Sequence, residues 1–165
     1  MQVSKLSRAE VLGMVAGLVL VVAVLFLPWY SLADIDGAPR HGDEFICGSG
    51  EYSCTGFSTF PILRWLLLAA AAAPFILAWI VVRGNKLSWP PGELTMVVGF
   101  TAFVLIAYNG ILDLPGSGPA EVGVSKDWGY WVALLAAAGI AAAGIGRSME
   151  EQPGGAGARK APGSV

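Results

Sequence analysis

Two cysteines, Cys47 and Cys54, are the residues of this chain whose type and spacing come nearest to chemistry. In an oxidising compartment a pair this close joins as a disulfide. The stretch between them places Gly50-Glu51 at a two-residue turn, with glycine first as a type II′ hairpin requires. That register sets Cys47 opposite Cys54 at a spacing a disulfide tolerates. Closing so short a loop contributes about 2–3 kcal/mol. An electron relay from a disulfide to a quinone would need a Cys-x-x-Cys pair and a second pair of cysteines, and the chain has only these two. The pair therefore reads as a staple.

The remaining polar candidates are sparse. His41 is the single histidine, too few for a bis-histidine haem or a zinc site, and reads as a solvated loop residue. Asp34-Ile35-Asp36-Gly37 opens like a calcium loop, but the later ligands do not follow in register. Asp43 and Glu44 leave room only for a looser cation site. Asp113, Glu121 and Asp127 are the only acids available to an enzyme acting on lipid or quinone. No nucleophile–base pair, phosphate-binding glycine loop or paired carboxylate lies in the apolar stretches. No catalytic, cofactor-binding or metal-binding residue is assigned, and the chain is read as a non-enzyme.

These residues hang on a strongly apolar frame. The 165 residues are 55% hydrophobic and 13% charged, with a mean hydropathy of +0.65. A soluble domain of this size cannot hide that much apolar surface. A helix crosses the hydrocarbon core with about 20 apolar residues. Four segments qualify: residues 9–28, 60–82, 93–112 and 129–146. The expected fold is an all-α integral membrane protein, an up-down bundle of four transmembrane helices over residues 1–147. The loop 29–59 lies outside, clipped by its disulfide, and 148–165, rich in Gly, Pro and Ala, forms a disordered cytoplasmic tail. The net charge of -2 argues against a nucleic-acid partner.

Local punctuation supports these boundaries. Pro28 stops the first segment, and Trp29-Tyr30 follow where interfacial aromatics belong. Ser31-Leu32-Ala33 resembles a signal cleavage box, yet the long apolar run and the aromatic pair fit an anchor. Pro74 should kink the second segment. Ser125 or Asp127 can cap the fourth. Gly13 with Gly17, Ala69 with Ala73, and Gly139 with Ala143 lie one turn apart and read as packing faces of the bundle itself, with homo-oligomer contacts second. Thr101 and Asn109 read as polar groups satisfied within the bundle.

With both termini in the cytoplasm, Lys5, Arg8, Arg83, Lys86, Arg147, Arg159 and Lys160 lie inside and Arg40, Arg64 and Lys126 outside. Seven of the ten cations inside favour this orientation in the plasma membrane. The outer rim gathers acids and large aromatics. Trp29, Tyr30, Trp128, Trp131 and Asp113 are the candidate outer-face contacts.

Phe26-Leu27-Pro28-Trp29-Tyr30, Gly56-Phe57-Ser58 and Leu112-Asp113-Leu114-Pro115-Gly116 together resemble a group of small four-helix membrane proteins from actinobacteria. That group has a Leu-Pro-Trp-Tyr end to its first helix, a Ser-aromatic entry to its second and an Asp-Pro-Gly-like turn after its third. The resemblance covers residues 8–147 and implies the four-helix fold. The group has no assigned biochemical activity, so the resemblance implies no catalytic residue. In this chain Leu114 separates Asp113 from Pro115. The reading that follows is a non-enzymatic accessory or interaction subunit of the cell envelope, embedded in the lipid bilayer, with a membrane or envelope protein as partner. The alternative is a homo-oligomer that transports a small solute or ion. Transporters usually place an ionisable group near the bilayer centre, and none of the four segments does so.

Overall fold

The computed structural model describes residues 7–32, 53–83, 89–112 and 124–151. Four long apolar helices pack as a bundle, and each is long and apolar enough to cross a bilayer. The chain is an integral membrane protein. The helices are α1 (Arg8–Phe26), α3 (Leu63–Val82), α4 (Pro91–Ile111) and α5 (Trp128–Glu151), with a single turn of helix, α2 (Gly56–Thr59), ahead of α3.

Each helix starts and stops for a local reason. Ser7 and Glu10 form a capping box on α1: the Ser7 hydroxyl accepts from the Glu10 amide at 3.3 Å, and the Glu10 carboxylate accepts from the Ser7 amide at 2.8 Å. Leu27 closes α1 in an extended conformation, directly before Pro28. Pro91 occupies the first turn of α4, where its missing N–H costs nothing. The Asp127 carboxylate accepts from the Trp128 amide at 2.7 Å and opens α5. This helix continues past the expected end at Gly146 to Glu151, and the Ser148 hydroxyl bonds back to the Gly144 carbonyl at 2.7 Å.

Contacts between helices establish an alternating direction. A Cβ built on Gly13 of α1 would meet Ala143 and Pro74, whereas one on Gly17 would meet Ala71. Residue numbers rise on α1 as they fall on its neighbours α5 and α3. In the same way Gly92 of α4 faces Ser148, and Gly110 faces Tyr130. Helix α5 therefore lies between α1 and α4, while α3 packs chiefly on α1. The core holds Leu20, Ala23, Val24, Leu67, Ala71, Ala102, Ile106, Ala137 and Ile140. Larger side chains such as Phe26, Phe100 and Leu135 point outward. Glycine and alanine at the helix contacts, with Leu and Ile filling the space between, suit a bundle in lipid, where close packing replaces the hydrophobic drive between helices.

One packing expectation is corrected. Ala69 is exposed and Ala73 only half-buried; the inward face of α3 is instead Ala70, Ala71 and Pro74. Gly13, Gly17 and Ala143 do lie at helix contacts.

The fold is also not purely helical. At one end of the bundle β1 (Pro28–Leu32) sits between β2 (Ser53–Thr55) and β3 (Val124–Lys126) in an antiparallel sheet of order β2-β1-β3. Tyr30 pairs with Cys54 on one side and with Lys126 on the other. The sheet joins the exit of α1 to the entries of α2 and α5, an association of segments far apart in sequence. The strands of three to five residues are too short to show an alternating pattern of their own.

Candidate functional site

The sheet end carries most of the residues singled out from sequence. Trp29 and Tyr30 were expected on the surface there, and the structure turns both inward. Trp29 is 0% exposed and Tyr30 1%. The Trp29 indole Nε1 donates to the Ala23 carbonyl at 2.8 Å, one of the carbonyls the end of α1 leaves open. Its ring meets Phe60 and Tyr130 edge-on, with centroids 6.3 and 6.1 Å away. Gly56 is required beneath it, because a Cβ there would overlap the indole ring. The Tyr30 hydroxyl donates to the Asn109 carbonyl at 3.4 Å, tying β1 to α4. The two aromatics are thus the plug that seats the sheet on the bundle.

Two outcomes follow from this packing. Trp29→Ala is expected to destabilise the protein by about 3–5 kcal/mol, as truncation of a fully buried aromatic does; thermal unfolding in detergent measures it. Burial, and then the neighbouring Tyr130 phenol, push the Tyr30 hydroxyl well above the ordinary phenol range. The fold holds the neutral phenol, so its contribution is complete below pH 10.0 and falls as the pH rises beyond that value. Stability measured up an alkaline series should decline less steeply in Tyr30→Phe than in the wild type.

Other expected contacts remain at the surface. Trp128 is 57% exposed and Trp131 52%, with Trp131 braced edge-on against Tyr130 at 5.3 Å. Trp65 joins them at the same end, 59% exposed. Lys126 reaches across to donate to the Gly110 carbonyl at 2.8 Å. Asp113 and Cys47 lie outside the described residues. Cys54 is buried on β2 and is not a free thiol.

The opposite end holds a polar site that sequence reasoning missed. Arg147 of α5 forms an ion pair with Glu10 of α1, and both side chains are largely buried. They border a cavity of about 10 Å³ together with Gly13, Pro74, Thr95 and Ala143. That space holds about one water molecule. Thr95 is buried, and its hydroxyl donates to the Pro91 carbonyl at 2.9 Å. The available signal was indirect: alternating helices place the start of the first and the end of the fourth at the same end. Thr101 and Asn109 turn their side chains back on their own helix, donating to Val97 and Leu105 carbonyls at 2.8 Å each. Among the described residues no three His, Cys, Asp or Glu side chains are grouped to share a metal.

No family model matches this chain, and neither does a curated protein or a solved structure. The functional reading therefore rests on geometry. One end presents exposed tryptophans at the helix ends beside a small sheet. The other is closed by an ion pair over a space the size of a water molecule.

Proposed function

We propose that this integral membrane protein is a non-enzymatic accessory subunit of the cell envelope that binds a membrane or envelope protein through its sheet end. The observation that carries this reading is the pair Trp128 and Trp131, each more than half exposed at that end. Large aromatics held in place by packing lose little entropy on binding and serve as interface anchors. Trp29 and Tyr30 contribute from beneath by fixing the sheet. Asp113, which lies outside the described residues, enters this proposal from the sequence alone. The excess of Lys and Arg on the opposite side supports placing the sheet end outside and both termini in the cytoplasm. There Cys47 and Cys54 would join, and the burial of Cys54 on β2 supports a structural bond.

The test is isolation of the tagged protein from its native membrane in mild detergent, beside Trp128→Ala/Trp131→Ala. A stoichiometric partner with the wild type, lost from the double variant, is the expected result. A partner retained equally by both sinks the assignment of this face. A homo-oligomer with nothing attached would redirect attention to transport, with flux in liposomes as the next measurement.

A further inference from the structure

We propose that Arg64 and Trp65 form a headgroup site for an anionic phospholipid, with the phosphate diester as the group recognised. Arg64 is the second residue of α3 and stands at the boundary of its apolar span. A guanidinium carries five N–H donors. Among the described residues one of them is bonded, Nη1 to the Phe57 carbonyl at 3.3 Å, and Nε is buried with no acceptor. No ion pair links Arg64 to a described carboxylate. What holds the group is aromatic: its central carbon lies 4.7 Å from the centre of the Phe57 ring and 5.6 Å from that of Trp65. Those rings stand edge to face, 5.9 Å apart. Among the described residues the cation is therefore positioned without a carboxylate partner.

The surroundings indicate which anion would fit. Trp65, whose ring lies against the guanidinium, is 59% exposed, a surface that acyl chains cover. A cation stacked on an exposed tryptophan at the end of a membrane span, with no carboxylate partner among the described residues, complements a lipid with its phosphate at the interface. Guanidinium matches two phosphate oxygens at once, which an ammonium cannot do. Arg83, at the other end of the same helix, is a built-in comparison. It also stacks on a tryptophan, Trp79, at 4.5 Å, but it is exposed, so water can satisfy its donors.

The experiment is native mass spectrometry of the full chain in neutral detergent, titrated with phosphatidylglycerol, phosphatidylcholine or inorganic phosphate. The wild type should retain phosphatidylglycerol in preference to phosphatidylcholine. Arg64→Gln should bind it roughly tenfold more weakly, Arg64→Lys should fall between, and Arg83→Gln should match the wild type. Should Arg64→Gln not fold, the lysine variant decides: binding as tight as the wild type overturns the site. So does equal retention of the two lipids. Displacement of phosphatidylglycerol by inorganic phosphate at equal concentration would make this a free-anion site and overturn the lipid assignment.

Discussion

Gly99→Ala is expected to destabilise the bundle by about 2–3 kcal/mol, although the substitution improves helix propensity. A Cβ at position 99 would fall on the backbone of Ile140 and Ala141. Backbone cannot rotate away as a side chain can, so α4 and α5 must separate. Gly144→Ala meets the same obstacle from the other side, against the backbone of Met96 and Gly92. Gly146→Ala is the control. Its Cβ would meet only the Ala9 methyl at 3.7 Å, an ordinary contact. There the propensity gain of up to about 1 kcal/mol should survive. Thermal unfolding in detergent, with the monodisperse fraction recovered, separates the cases. If Gly99→Ala and Gly146→Ala behave alike, the close approach of α4 and α5 is wrong.

Arg147→Met should cost about 3 kcal/mol, because it strands the Glu10 carboxylate, whose side chain is only 7% exposed. The double variant Glu10→Leu/Arg147→Met should return to within about 1 kcal/mol of the wild type, since apolar groups of similar size replace both charges. A double-mutant cycle on unfolding free energy in detergent measures the coupling. A single variant as stable as the wild type would show that water, and not Arg147, satisfies Glu10. The pair joins the first turn of α1 to the end of α5. Its rupture should therefore loosen the end of the bundle away from the sheet and leave the packing of Trp29 unchanged, which near-ultraviolet circular dichroism can follow.

The two ends of the molecule thus differ in what holds them. At the sheet end, rings interlock around Trp29, and strands from three separate parts of the chain share hydrogen bonds. At the other end, one ion pair closes a small cavity. Between them, glycine and alanine let helices approach. Substitutions should be read accordingly: added volume is the danger in the middle, lost aromatic area at one end, and lost charge balance at the other.

The solvent of this protein, its four helices and their approximate ends were legible in the chain itself. Apolar length, Pro28 and the flanking charges are local properties, and a bilayer imposes one answer on a stretch of about 20 apolar residues. Which residues meet was decided only in three dimensions. The sequence reading put Trp29 and Tyr30 at the surface because aromatics beside a membrane span usually lie there. The short strands that fold β1 between β2 and β3 turned them inward instead. Ala69 and Ala73 carry the right spacing, but α3 is rotated to present Ala70, Ala71 and Pro74. Glu10 and Arg147 are 137 residues apart, and no local pattern pairs them. Helix formation in lipid depends on each segment alone, whereas rotation, register and ion pairing depend on which neighbour each segment finds.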